Sequence, residues 1–229
     1  MDRNPLVRES DLQFLLREVF EVERLCALEP FSHLDLDTFE LYISATRTLA
    51  RERLSPLYRE MDQAPPTFDG AHVATHPHMV TCYDQLAELG VIVASRPEEV
   101  GGAALPQTIV TIANLYLMAA NAGAAGFPLL TAGAAHLVEA FGNDETRALF
   151  MRRMYDGEWT GTMALTEPHA GSSLAEITTR ATPRPDGRYH VRGSKIFISG
   201  GDHDLKPNIV HMTLGRLDGA PPGACGVGH

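Results

Sequence analysis

"MALTEPHAGSSLAEI", residues 163–177, opens as an apolar strand and stops at Thr166-Glu167-Pro168. Small residues follow at once: Ala170, Gly171, Ser172 and Ser173. A loop of so little bulk lets backbone amides approach another surface closely. A flat or phosphorylated guest suits such a loop, and the flanking sequence has to say which.

Upstream of this stretch the pattern is helical. Ser10 with Gln13 reads as a capping box before a helix with Leu12, Leu15, Leu16 and Val19 on one face. Asp37 with Glu40 repeats the signal, and Phe39, Ile43, Ala50, Leu54 and Leu57 keep helical spacing until Pro56 marks a kink or end. "MDQAPPTFDG" (61–70) reads as a linker. Pro77 suits the first turn of a helix with Met79, Val80, Tyr83 and Leu86 inward and Gly90 at its end. "VIVASRPEEVGG" (91–102) reads as extended and then turning. Two mostly apolar helices joined by an "NAGAAGFP" turn (121–128) come next, and Asn143 caps a last helix, acidic early and basic late.

Composition changes at Gly157. "TGTMALT", "TTRATP", "YHVRG", "KIFIS" and "IVHMTLGRL" are short strand candidates separated by turn signals such as "RPDG" and "SGG". The expected fold class is α+β: an all-α domain over residues 1–157, then strands over 158–229 that form part of a barrel- or sandwich-like domain.

Apolar content of 44% and a net charge of −10 fit a globular protein and argue against general binding to nucleic acid or an anionic membrane. Cys26, Cys82 and Cys225 are odd in number and far apart, with neither metal spacing nor a disulfide framework, so a reducing cytoplasm is the expected home. "MDRNPLVRESDLQ" lacks the apolar core of a signal peptide. Residues 103–138 carry no Asp, Glu, Lys or Arg, but Gln107, Asn114, Asn121 and Pro128 interrupt them, so buried helices are expected here and not a membrane span.

"ALTEPHAGSS" followed by "GSKIFISGG" after one strand and a turn resembles the acyl-CoA dehydrogenase family of flavoenzymes. "RPEEVGGAALPQ" is similar to that family's Pro-Glu-Glu-x-Gly-Gly turn, and "DGEWTGTMALTEP" to its approach to the flavin site. "DLQFLLREVFEVERL" and "SGGDHDLKPNIVHMTLGRL" resemble a longer bacterial branch that includes enzymes for fatty acyl-CoA and for 3-(methylthio)propanoyl-CoA. The resemblance implies a helical N-terminal domain, a middle β-domain and FAD as cofactor. It implies that Leu165 and Thr166 sit beside the isoalloxazine, that Phe197 lies against the ring, that Ser199 is near N5, and that Ser172 faces the CoA side of the thioester. Gly171-Ser172-Ser173 departs from the family's frequent Gly-Ser-Asp, and Phe197 from its frequent Trp.

The implied reaction is α,β-dehydrogenation of an acyl-CoA, with electrons passing to an electron-transfer flavoprotein, in a homodimer or homotetramer. The protein's share of such chemistry is orientation and hydrogen bonding, with donors at the ring's polar edge stabilising developing charge. The family's catalytic glutamate belongs to a C-terminal helical domain, so the sequence reads as an N-terminal portion truncated within the β-domain, without a catalytic residue of its own. "IVHMTLGRL" is then expected to lack a partner strand that would follow His229. The alternative is a catalytically inactive remnant or an interaction module that keeps the fold.

Plainer readings compete at single residues. Thr166 and Ser199 alone read as strand-end hydroxyls capping local amides, and Phe197 as core. Glu167 reads as a structurally paired carboxylate before a catalytic base. "THPH" (75–78) and "GDHDL" (201–205) read as solvated turns before metal ligands, and Gly101-Gly102 as a turn before a helix.

Overall fold

The computed structural model describes residues 6–221 and 227–228; Cys225 and His229 lie outside them. Helices come first. α1 (Glu9–Phe14) runs on as a π-helical segment, Leu15–Val19. α2 (Leu36–Leu49) continues through Ala50–Leu54 and a 3-10 turn at Ser55–Leu57 into α3 (Tyr58–Gln63), so Pro56 marks a change of helix type. The hairpin β1 (Thr67–Phe68) and β2 (Val73–Ala74) precedes α4 (His78–Glu88), and α5 (Gln107–Phe141) is the central helix. α6 (Asp144–Thr146) and α7 (Arg152–Tyr155) complete the layer, joined by Arg147–Met151.

Several local expectations change. Ser10 lies inside the first turn of α1, which has no side-chain cap, and only Leu12 and Leu16 of its expected apolar face are buried, while Leu15 and Val19 are exposed. The cap of α2 is Asp35, accepting from the Thr38 amide at 2.8 Å, with Asp37 inside the first turn. In α4 Cys82 and not Val80 joins Met79, Tyr83 and Leu86 in the core. Residues 91–96 form buried turns where an extended segment was expected, and Arg96 makes a bidentate pair with Glu139 of α5 at 2.7 and 2.8 Å. Asn143 caps the last helix as expected, accepting from the Thr146 amide at 2.8 Å.

The break in α5 is a single residue. Asn121 leaves helical geometry (φ −162°, ψ 89°) and its side-chain oxygen accepts from the Ala124 amide at 3.0 Å, so it caps the second half, and residues 122–128 are helical where a turn was expected. By length and composition α5 is apolar enough to cross a membrane, yet 56% of its most apolar window is buried inside the protein. That burial identifies it as a core helix of this fold.

The sheet part begins with β3 (Thr160–Ala164), parallel to β6 (Ile209–Thr213). A four-stranded sheet has the order β5 (Tyr189–Arg192), β4 (Arg180–Pro183), β7 (Gly215–Leu217), β8 (Val227–Gly228). "IVHMTLGRL" therefore divides at Leu214. Its first half pairs with β3, and its second with β4 and with β8, a partner that precedes His229. "KIFIS" is not a strand; it runs as irregular backbone beside β3.

β3 is the joint between the two parts. A Cβ on Gly161 would lie 2.5 Å from the Ala134 methyl of α5 and 3.2 Å from the Met154 sulfur, so glycine lets the strand press onto the helix. The Gly161 amide donates to the Thr131 hydroxyl at 3.1 Å, which itself donates to the Phe127 carbonyl. A second tether follows the irregular segment. Asp202 accepts from the Val73 amide and Asp204 from the Thr75 amide, both at 3.0 Å, while Lys206 pairs with Asp84 of α4 at 2.5 Å. Between them His203 is buried, bonded to the Thr160 hydroxyl at 3.0 Å, so "GDHDL" is a structural clasp and not a solvated turn.

Gly161→Ala should destabilise the fold by about 1–3 kcal/mol through overpacking. Gly133→Ala, on the exposed side of α5 with nothing within 4 Å of the added carbon, should stabilise by about 0.5–1 kcal/mol through helix propensity. Urea denaturation midpoints of the two variants check the opposite signs.

Candidate active-site face

Beyond β3 the chain makes a tight turn at Glu167-Pro168-His169-Ala170, closed by Glu167 and Ala170 amide–carbonyl bonds in both directions (2.8 and 3.1 Å). Proline at the second position suits such a turn. The segment 195–199 comes back alongside. The Thr162 hydroxyl donates to the Ser199 carbonyl at 2.7 Å, the Ile196 amide donates to the Thr166 carbonyl at 3.0 Å, and Lys195 Nζ donates to the Leu165 carbonyl at 2.9 Å. These three bonds bring Leu165, Thr166, Phe197 and Ser199, which are far apart in sequence, onto neighbouring backbone.

Their side chains differ in setting. Leu165 is half-buried against Ala170, Ile177 and Leu214, and Thr166 is half-buried with its methyl group near Gly171. Phe197 is 88% exposed and has a positive φ of 57°. It is therefore not core, and a bulky side chain in the left-handed region is an uncommon backbone choice. Ser199 and Ser172 are exposed. Among the described residues, neither the Thr166 amide and hydroxyl nor the Ser199 hydroxyl has a hydrogen-bond partner. The strand-end capping reading of these hydroxyls does not hold here.

Beneath this face lies a buried ion pair. Lys195 Nζ sits 2.9 Å from Glu167 Oε1, with side-chain exposures of 11% and 1%. The carboxylate also accepts from the Thr178 amide (2.7 Å), the Thr178 hydroxyl (2.8 Å) and the Thr179 amide (2.9 Å). Burial alone would raise the Glu167 pKa, but the donors of Thr178–Thr179 and Lys195 outweigh it and hold the carboxyl well below the ordinary range. Glu167 is thus a structural partner that is charged at neutral pH. The sequence reading had anticipated pairing but not Lys195, which looked like an ordinary basic residue in a strand; the clue was a lone Lys inside an otherwise uncharged run.

Other candidates fall outside this face. His76 and His78 lie 3.5 and 3.6 Å from Glu60. Among the described residues no group of three or more His, Cys, Asp or Glu side chains could hold a metal ion. A cavity of about 300 Å³ opens under the Asn121 break, lined by Tyr58, Met61, His76, Met79 and Phe127.

The depressed pKa of Glu167 has a consequence for acid stability. A carboxyl whose folded pKa lies below its unfolded value contributes stability that is present above the unfolded value, near 4.5, and is lost as pH falls toward the folded one. Glu167→Gln should therefore lower stability at pH 7 and leave a shallower loss between pH 5 and the acid limit than the parent shows. Thermal melts across that range measure both effects.

A family model described as "Acyl-CoA dehydrogenase, N-terminal domain" matches residues 37–158. The 3-methylmercaptopropionyl-CoA dehydrogenase of Ruegeria pomeroyi is 33% identical over 217 residues, which cover 95% of this chain and 37% of that protein. The chain thus spans little more than a third of that curated relative's length. Among solved structures, the butyryl-CoA dehydrogenase of Megasphaera elsdenii aligns with a TM-score of 0.64 and 25% identity, over 79% of this chain and 44% of that one. An acyl-CoA dehydrogenase of Bacillus anthracis, solved with FAD, shares the fold at a TM-score of 0.65 and 24% identity, over 80% of this chain and 29% of that one. A family match over more than half of the sequence, joined to a helical layer and β-segment of the same architecture, leads to one conclusion: the chain belongs to the acyl-CoA dehydrogenase family.

Proposed function

We propose that this chain supplies the helical wall and the flavin-facing strand of an FAD-dependent acyl-CoA dehydrogenase acting by α,β-dehydrogenation of an acyl-CoA thioester. One observation carries the reading. Thr166 presents an amide and a hydroxyl with no partner among the described residues, on backbone that adjoins the segment carrying the exposed Phe197 ring and the Ser199 hydroxyl. Unmatched donors beside an exposed aromatic fit a flat, polar-edged ring. When bound, FAD supplies the acceptor for hydride from the substrate β-carbon.

The roles of this chain's residues follow. The Thr166 amide and hydroxyl orient the polar edge of the ring, and Leu165 supplies the adjoining backbone. Phe197 covers a face, the Ser199 hydroxyl approaches from the side, and Ser172 lies toward the CoA thioester. Glu167 takes no proton from substrate, because its oxygens are filled by Lys195, Thr178 and Thr179. In this reading the α-proton goes to a carboxylate outside the described residues. Electron-transfer flavoprotein is the onward acceptor, the working assembly is a homodimer or homotetramer, and the cytoplasm is its home.

Purified chain should take up FAD, seen as a protein-bound flavin absorbance band. It should not oxidise acyl-CoA with an artificial acceptor, since a positioned base is worth roughly 10²–10⁴-fold. Phe197→Ala should weaken FAD retention more than Phe68→Ala, which removes another exposed ring, from the β1–β2 hairpin. A folded chain that binds no FAD, or equal retention by the two variants on gel filtration, overturns the assignment and favours a remnant that keeps only the fold.

A further inference from the structure

Among the described residues, Lys195 is the cation bonded to the backbone of the proposed flavin face, and its contact is with a particular peptide group. Its ammonium donates to the carbonyl of Leu165 at 2.9 Å. That carbonyl and the Thr166 N–H belong to the same planar peptide unit, in which C=O and N–H point in opposite directions. The ammonium therefore pulls on one end of a dipole whose other end is the Thr166 amide. That amide has no hydrogen-bond partner among the described residues. Chains of hydrogen bonds polarise one another, and the effect grows where water is excluded. Lys195 is 11% exposed, so little solvent screens it.

Glu167 does not simply cancel this effect. Its carboxylate keeps Lys195 at the end of its reach, 2.9 Å from Oε1, while three further donors from Thr178 and Thr179 share its charge. The ammonium bonds the Leu165 carbonyl and Glu167 Oε1 at the same 2.9 Å, so it bridges the peptide and the anion. The arrangement fixes Lys195 in position and leaves its positive end against the Leu165 carbonyl.

We propose that Lys195 is a positioning and polarising residue: acting through the Leu165–Thr166 peptide, it makes the Thr166 amide a strengthened donor aimed at the edge of the bound ring that becomes electron-rich on reduction. The proposal rests on the FAD reading above and deepens it. Cooperative polarisation along such a chain strengthens a hydrogen bond by roughly 10–30%. The donor would favour the reduced over the oxidised ring, which raises the midpoint potential of the bound flavin.

Two substitutions of opposite charge separate this role from a merely structural one. Lys195→Met removes the ammonium and should lower the flavin midpoint potential, with roughly five- to tenfold weaker FAD binding. Glu167→Gln removes the anion and keeps the shape, with the glutamine side-chain oxygen and the Leu165 carbonyl as acceptors for Lys195, and should raise the potential. Lys195→Arg should restore most of the parent value. If the pair only held the loop together, both neutralising variants would shift the potential in the same sense, and that result overturns the proposal. Should Lys195→Met fail to fold, Glu167→Gln decides alone: a fall or no change in potential overturns it.

A readout without cofactor distinguishes failure of the FAD reading from failure of this one. In the chain without FAD, the Thr166 amide proton resonance should move upfield in Lys195→Met and not in Glu167→Gln. If that shift appears but no flavin binds, the polarised amide stands and the cofactor assignment falls. If the resonance is unmoved in Lys195→Met, the polarisation itself is wrong.

Discussion

The architecture depends on how closely β3 can lie on α5. Hydrogen bonding along β3 is satisfied by β6 on one side and by the Thr131 hydroxyl through the Gly161 amide. Side-chain volume at Gly161 would push the strand off the helix, because the Ala134 methyl and the backbone at Thr131 already fill that space. Close packing of this kind is intolerant of an added methyl. Everything later in the chain inherits the placement. The turn at 167–170, the returning segment 195–199 and the clasp at 202–206 are all positioned relative to β3.

A second layer of organisation is electrostatic and lies under the proposed flavin face. A buried carboxylate is costly unless paired and fully bonded. Glu167 meets that demand with donors drawn from two separate stretches, Thr178–Thr179 and Lys195. The same residues that solve the desolvation problem thereby fasten the small-residue loop at both ends. This explains how a loop of Ala, Gly and Ser, with little packing of its own, keeps a defined backbone.

Much of this was legible in the sequence, and the reasons differ by residue. Phe39, Ile43, Ala50 and Leu54 kept helical spacing and are buried, because periodicity reports the direction of the core. Capping was read less well at the first two helices. Ser10 and Asp37 have the right side chains, but the chain enters those helices at Arg8 and Asp35, and a cap depends on backbone entry as much as on residue type. "KIFIS" has β propensity yet forms no ladder, since Lys195 is drawn inward to Glu167 and Phe197 takes a left-handed conformation. The grouping of Leu165 and Thr166 with Phe197 and Ser199 came from resemblance, not from spacing; only the fold brings those segments side by side. "GDHDL" was singled out but read as a solvated turn, and the partners of Lys195, Asp202 and Asp204 went unread, because long-range pairing of single charges does not name its partner locally.

That clasp also bears on how the chain can be assembled during synthesis. Val73 and Thr75 are held by Asp202 and Asp204, each 129 residues downstream. The entropic cost of closing so long a loop rises only as the logarithm of its length, so the contact is affordable once both ends exist. Until residues 202–206 leave the ribosome, however, the Val73 and Thr75 amides have water and not carboxylates for partners. The helical layer can condense around α5 as it emerges, but the hairpin is fastened only once residues 202–206 have emerged, making it the last part of the N-terminal region to become fixed.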